Sequence, residues 1–372
     1  LATKDSSYSA VDFIDIQNRS GQEQYTAWFS DGESNLVKSI NEYPFGNNKD
    51  GEGNGKQHKF FDVNSDGLVD VVDLYREEVL GGVDKAKVRA CTNDGKGTIK
   101  ECYYTLLDGW NEIGDANSSR FLTVDTNGDG LIDIVSAFST PNGESKYRIF
   151  QNNGDGSFSV QGSAKNFGLW NLNQAYTPTI LTSDVNGDGL TDLIKVREQS
   201  GNTHVETWLN SGGHTFVEGE MNTKITSWWI DTSSANPPIY KMLDINKDGA
   251  NDFLYIYRSD NNEHAHVRPW FSNKAGGFTE GVEQKLNLYN SDASGDPHKS
   301  TFLIGDSNGD TNADLIEIYE GGNTAKIATW SIAPQADQNK LIQVDNGLTT
   351  KFKFSYASSS DTSFYQYDRV AL

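Results

Sequence analysis

Short apolar runs punctuate the chain at even spacing. VVDLY from Val71, IVSAF from Ile134, LIKVR from Leu193, FLYIY from Phe253 and LIEIY from Leu315 are rich in β-branched, aliphatic and aromatic residues, the composition of a strand. Each run follows an acidic stretch, and another short apolar segment enters that stretch from the other side: KFFD, FLTVD, TILTSD, MLDI and FLIGD. A further strand pattern with a bulky residue near its end comes next: VRACTNDG, YRIFQNNG, VETWLNSG, VRPWFSNK and IATWSIAP. A Gly-rich turn and a last segment such as GTIKECYY, GSFSVQG or HTFVEGE complete the unit. The pattern predicts four strands per unit, and apolar residues at helical spacing are absent.

The acidic stretches are copies of one nine-residue loop: DVNSDGLVD from Asp62, DTNGDGLID from Asp125, DVNGDGLTD from Asp184, DINKDGAND from Asp244 and DSNGDTNAD from Asp306, at intervals of 63, 59, 60 and 62 residues. Hard divalent cations prefer oxygen ligands, and calcium accepts carboxylates, amide oxygens and a main-chain carbonyl at flexible geometry. The candidate ligands are Asp62, Asn64, Asp66, the Leu68 carbonyl and Asp70 in the first loop; Asp125, Asn127, Asp129, Leu131 and Asp133 in the second; Asp184, Asn186, Asp188, Leu190 and Asp192 in the third. The fourth offers Asp244, Asn246, Asp248, Ala250 and Asp252, and the fifth Asp306, Asn308, Asp310, Asn312 and Asp314. The ninth aspartate is expected to close the shell with both carboxylate oxygens, and the glycine at position six to let the chain turn sharply. Thr311 takes that glycine's place in the fifth loop, which predicts weaker or distorted binding there, and Lys247 in the fourth is expected to project outward with a modest electrostatic penalty. Acidic surface turns would use the same residues, but five copies in register favour ion loops. An EF-hand is excluded because position twelve is Asp73, Ser136, Lys195, Tyr255 and Glu317, glutamate only in the last, and because strands rather than helices flank each loop.

Four-stranded units of about sixty residues, repeated radially, are the plan of a β-propeller. VDFIDIQ followed by QYTAWFSDG matches the second and third strands of an N-terminal unit that lacks its loop, with Asp12 at the ninth position and Trp28 sixteen residues on, the spacing of Asp192 to Trp208 and Asp314 to Trp330. The expectation is a single all-β domain over residues 1–372 with six four-stranded blades, seven being the alternative. KLIQVDNG is expected to supply the outer strand of the last blade. A strand at 350–356 is expected to complete the N-terminal blade, 8–40, closing the ring without a free edge. Trp28, Trp208, Trp270 and Trp330, with Phe150 and Cys91 at the same position, are expected to pack between blades. Trp110, Trp170, Trp228 and Trp229 fall outside that register and are the better candidates for a recognition surface.

The net charge of −21 argues against nucleic acid or an anionic membrane as partner. Five divalent ions, ten positive charges, would bring −21 to −11. No apolar run approaches the ~20 residues that span a bilayer, so membrane insertion is not expected. LATKDSSYS carries neither an initiator Met nor a signal-peptide pattern and reads as the start of a processed or excised piece. Cys91 and Cys102 flank TNDGKGTIKE; paired strands would set their sulfurs face to face, as a cross-strand disulfide or two free thiols, and calcium loops suggest an oxidising exterior that favours the disulfide. The six histidines, His58, His204, His214, His264, His266 and His298, show no recurring partner, and no G-x-S-x-G elbow, phosphate loop or H-E-x-x-H is present. The chain is expected not to be an enzyme.

The loops, set in units of this length, resemble the FG-GAP or VCBS repeats of integrin α-subunit propellers and of many secreted bacterial proteins. That resemblance implies a calcium-stabilised propeller, and the five loops, with the fifth weakened, predict four to five Ca²⁺. LIQVDNGLTTKFKFSYASSS resembles the segment that follows the propeller repeats in the B component of bacterial insecticidal toxin complexes and in SpvB-type toxin proteins: Asn346, Gly347, Leu348 and Tyr356 match, and Thr349 replaces the usual second glycine. It implies a protein-docking role. The expected function is a non-enzymatic, calcium-stabilised interaction scaffold, monomeric in isolation, in a secreted bacterial toxin or adhesin, with a toxin subunit or cell-surface receptor as partner. The alternative is a glycan-binding lectin propeller that uses Trp228 and Trp229.

Overall fold

The structure is a computed structural model of the 372-residue chain. It describes residues 13–19, 22–30, 36–38, 43–47, 57–77, 85–93, 99–109, 120–139, 144–169, 178–199, 202–220, 223–226, 238–258, 265–286, 301–305, 307, 314–320, 325–331, 343–345 and 351–353. All regular structure among the described residues is strand. Each run that follows an acidic loop begins a strand at the loop's ninth residue: Asp70–Glu77, Asp133–Ser139, Asp192–Gln199, Asp252–Arg258 and Asp314–Glu320.

Among the described residues, five sheets of four or five strands build the β-propeller. The first holds Phe13–Arg19, Gln22–Ser30, Leu36–Lys38 and Tyr43–Asn47; the second Gln57–Phe61, Asp70–Glu77, Lys85–Asn93 and Ile99–Gly109; the third Arg120–Val124, Asp133–Ser139, Glu144–Asn152 and Phe158–Leu169. The fourth holds Thr179–Ser183, Asp192–Gln199, Asn202–Asn210, Phe216–Glu218 and Thr223–Thr226, and the fifth Ile239–Leu243, Asp252–Arg258, Ala265–Ser272, Phe278–Glu280 and Gln284–Leu286. In the fourth and fifth sheets the outer strand is broken in two, and in the fifth both pieces pair with Ala265–Ser272.

This corrects the expectation of six four-stranded blades, or seven. Thr301–Gly305, Asp314–Glu320 and Ala325–Ser331 form a three-stranded sheet, and Gln343–Asp345 pairs with Lys351–Lys353 in a separate two-stranded ribbon. The two C-terminal strands were expected to part company, one to the last blade and one to the N-terminal blade. Instead they pair with each other, across a connection whose sequence begins Asn346-Gly347, the strongest short-range hairpin signal. Pairing neighbours across five residues costs far less chain entropy than closing a loop over most of the protein. The N-terminal sheet meanwhile draws Leu36–Lys38 and Tyr43–Asn47 from its own sequence, both against Gln22–Ser30.

The aromatic position keeps one register throughout. The residue after the ninth aspartate faces it across the ladder: Val71 opposite Cys91, Ile134 opposite Phe150, Leu193 opposite Trp208, Phe253 opposite Trp270, Leu315 opposite Trp330, and Phe13 opposite Trp28. Phe150, Trp208 and Trp270 are buried.

The chain divides into two compact units, Leu1–Thr182 with Asn210–Val217, and Ser183–Leu209 with Glu218–Leu372. In the first, Phe61, Val72, Leu74, Phe121, Phe150 and Phe158 share a core; in the second, Leu243, Leu254, Ile256, Val267, Phe302 and Leu315 do. Each such side chain contributes ~1.5–3 kcal/mol by leaving water.

Candidate metal-binding loops

Four of the five loops are described, and they share one hydrogen-bond scheme. The first aspartate accepts the amide of position six through its Oδ2: Gly67 to Asp62 at 2.8 Å, Gly130 to Asp125 at 2.9 Å, Gly189 to Asp184 at 2.8 Å and Gly249 to Asp244 at 2.9 Å. The fifth-position carboxylate accepts the amide of position seven, Leu68, Leu131, Leu190 or Ala250, at 2.8 to 2.9 Å. The asparagine between them bonds the fifth residue twice. Its Oδ1 accepts the amide of Asp66, Asp129, Asp188 or Asp248 at 2.9 to 3.2 Å, and its Nδ2 donates to that residue's carboxylate at 2.7 to 3.2 Å. Positions one, three and five therefore converge in every described loop. The turn needs left-handed backbone at position six, where Gly67, Gly130, Gly189 and Gly249 have φ of 82°, 84°, 86° and 90°.

The ninth aspartate has different hydrogen-bond partners. Asp70, Asp133, Asp192 and Asp252 are fully buried and turn to the backbone. Asp70 accepts Val63 N at 3.1 Å and Asn93 N at 2.8 Å, and Asp252 accepts Ile245 N at 2.9 Å and Ser272 N at 2.8 Å. Asp133 does the same with Thr126 N at 3.1 Å and Asn152 N at 2.8 Å, and also accepts the Thr126 hydroxyl. Asp70, Asp133 and Asp252 thus join the start of their loops to the end of the third strand, and Asp192 accepts Val185 N at 2.9 Å. Burial, with a smaller push from the carboxylates at positions five and one, raises the pKa of Asp70 and of Asp252 to about 6; burial also raises that of Asp133.

Among the described residues no three His, Cys, Asp or Glu side chains converge into a ready metal cluster. The donors nonetheless suit a hard cation. Two carboxylates and an amide oxygen lie together at the surface, the position-seven carbonyl is close in sequence, and a carboxylate oxygen holding one N–H keeps a second lone pair. Asp306, Asn308, Asp310, Asn312 and Thr311 of the fifth loop lie outside the described residues, as do Trp110, Trp170, Trp228 and Trp229. In that loop Asp314 is buried and accepts Ser307 N at 3.0 Å.

The asparagine two residues beyond the bulky position of the third strand was not singled out in the sequence. Asn93, Asn152 and Asn210 are buried, with Ser272 in the same place, and the side chains of Asn93, Asn210 and Ser272 each fasten a loop. Asn93 Nδ2 donates to Val69 O at 2.9 Å; Asn210 Nδ2 donates to Asp125 O at 3.0 Å; Ser272 Oγ donates to Val185 O. The signal was present in the strand endings CTN, FQN and WLN, which read as strand followed by turn. Loops three and four also touch: Asn251 N donates to Asp184 O at 2.7 Å, and a Cβ on Gly187 would sit 3.1 Å from Gly249 O, a tight contact that glycine avoids. Cys91 and Cys102 face each other in adjacent strands and are joined by a disulfide. Of the histidines, His58 Nδ1 lies 2.6 Å from Asp73, His214 Nδ1 lies 2.7 Å from the Thr126 hydroxyl, and His266 Nδ1 lies 2.9 Å from Glu283.

Residues 125–194, which contain the second and third loops, match the family model of the FG-GAP-like repeat. With the fold, this makes the molecule a β-propeller that carries an FG-GAP-like repeat over residues 125–194. No curated protein matches the chain. Among solved structures, AofleA from Arthrobotrys oligospora aligns over 88% of this chain and 88% of its own at 10% identity and a TM-score of 0.39. A mutant of the Aleuria aurantia lectin, in complex with alpha-methyl-L-fucoside, aligns over 88% of this chain and 96% of its own at 10% identity and a TM-score of 0.36.

Proposed function

We propose that the chain is a non-enzymatic interaction scaffold whose acidic loops are held by calcium, acting as part of a secreted bacterial toxin or adhesin. The observation that carries this reading is the convergence of one aspartate, one asparagine and a second aspartate in four loops with the same hydrogen bonds. Asp62, Asn64, Asp66 and the Leu68 carbonyl would hold the ion in the first loop, with their counterparts in the others. A bound divalent ion supplies charge neutralisation, and its binding free energy becomes folding stability wherever the unfolded chain lacks the site. Asp70, Asp133 and Asp252 also tie their loops to the third strand through backbone amides. The recurring acids are thus engaged in shaping loops, and the reading assigns them no reaction.

The C-terminal segment LIQVDNGLTTKFKFSYASSS supports the toxin assignment, and the disulfide suits an oxidising exterior. A protein, either a toxin subunit or a cell-surface receptor, is the expected partner. The test is thermal unfolding of the purified chain in excess EGTA and in millimolar Ca²⁺, with a count of bound metal and a glycan array run alongside. Four or five ions per chain, a clear rise in Tm and a blank array are expected. No bound metal and no shift would reduce the loops to acidic turns, and a reproducible glycan hit would transfer the function to a lectin.

A further inference from the structure

The fourth loop differs from its sisters in where it keeps positive charge. After the third strand of the third, fourth and fifth sheets comes one turn, closed by Asn153 N to Ser157 O at 3.0 Å, Ser211 N to Thr215 O at 2.9 Å and Asn273 N to Gly277 O at 3.0 Å. Its second residue has left-handed backbone and is Gly154 (φ 76°), Gly212 (φ 73°) and Lys274 (φ 62°). Lysine at such a position is disfavoured by its own Cβ. Here its ammonium reaches the loop: Lys274 Nζ donates to Asp248 O at 2.6 Å and lies 3.5 Å from Asp248 Oδ1. Lys247, within the same loop, likewise has left-handed backbone (φ 59°) where loops two and three place Gly128 and Gly187. Loop four thus carries lysine at two places where those loops and their turns carry glycine.

We propose that Lys274 is a tethered cation that clamps loop four, so that this loop keeps its shape without a divalent ion and takes calcium more weakly than loops two and three. The ammonium touches the fifth-position residue, one of the donors a divalent ion would use, and its charge opposes a second cation at that place. A unit charge ~5 Å from a divalent ion in a water-like dielectric changes affinity roughly tenfold. The second half of the proposal rests on the calcium reading above; the clamp itself does not.

The test is hydrogen exchange on the full chain, following peptides over 125–133, 184–192 and 244–252 in EGTA and through a Ca²⁺ titration, for the wild type, Lys274→Gln and Lys274→Gly. The glycine variant restores the residue of the sister turns and keeps the turn's backbone. In EGTA, both variants should speed exchange over 244–252 and leave the other two loops unchanged. In the titration, half-saturation at loop four should fall roughly tenfold in both variants, loops two and three again serving as controls. Unchanged exchange in EGTA would overturn the clamp. Calcium protection of loops two and three with no shift at loop four would overturn the affinity claim while leaving the calcium reading intact. Absence of calcium protection at every loop would end the calcium reading, and the EGTA comparison alone would then decide the clamp.

Discussion

Asp129 and Asp133 stand four residues apart in one loop, and their carboxylates meet different surroundings. Asp129 is exposed beside Asn127, whereas Asp133 is buried and accepts two backbone amides. Asp133→Ala strands those two amides, at ~1–3 kcal/mol each, so it should lower stability by roughly 2–6 kcal/mol in EGTA, read from the urea midpoint. Asp129→Ala should cost under ~1 kcal/mol in EGTA, since it removes an exposed charge and no buried partner. Equal costs would show that the buried clamp is not what holds the loop. The ninth position also sets a pH dependence. Asp70 and Asp252 have folded pKa values of about 6 against an ordinary 3.8, so the folded state retains these protons longer than the unfolded chain. Their contribution is fully present below pH 3.8 and is lost as pH rises through about 6. In EGTA, Asp70→Asn with Asp252→Asn should therefore flatten the fall in Tm between pH 4 and 7; an unchanged slope would place the titration elsewhere.

Along the second strand, the third residue past the ninth aspartate is buried in each sheet that has a loop: Asp73, Ser136, Lys195, Tyr255 and Glu317. A polar or charged side chain there needs a partner from the next strand. Asp73 is bonded by His58 at 2.6 Å and by Arg89 Nε at 2.9 Å. Lys195, fully buried, has its Nζ 3.0 Å from Glu206 and 4.6 Å from the centre of the Trp208 ring, and Arg197 shares the same carboxylate. Burial lowers the Lys195 pKa to about 8, with Glu206 acting in the other direction. Removing the shared anion should hurt most: Glu206→Gln leaves two cations facing each other and should cost roughly 3–5 kcal/mol. Lys195→Met keeps the Arg197–Glu206 pair and fills the space with an apolar chain, and should cost at most ~2 kcal/mol. Denaturation of both variants checks the order, and the reverse order would mean that the lysine, not the glutamate, organises the strand pair.

For the whole molecule the dominant quantity is the net charge of −21, much of it gathered in the loops. Self-repulsion of that size weakens the folded state and is screened by salt, the Debye length shrinking from about 30 Å at 0.01 M to about 3 Å at 1 M. In EGTA, raising NaCl from low millimolar to 0.5 M should raise Tm by several degrees, and saturating Ca²⁺ should reduce that gain. A Tm that falls with salt would mean that attractive ion pairs outweigh the repulsion.

The repeat, the strands that begin at each ninth aspartate and the recurring bulky position were legible in the sequence, because period-two runs and Asp/Asn/Gly turns are local properties of neighbouring residues. The convergence of Asp62, Asn64 and Asp66 follows from nine residues alone. The strand count per sheet did not follow, because Gln343–Asp345 and Lys351–Lys353 had competing partners and strand composition does not rank them. The placement of Asp70 with Asn93, or of Lys274 beside Asp248, was likewise settled only by the tertiary structure, which brings together groups more than twenty residues apart. The sequence by itself determined the periodic units and the oxygen-rich loops they carry. Only packing decided which strands share a sheet and which buried or tethered groups hold each loop, since those choices depend on chain closure and on partners that no local pattern names.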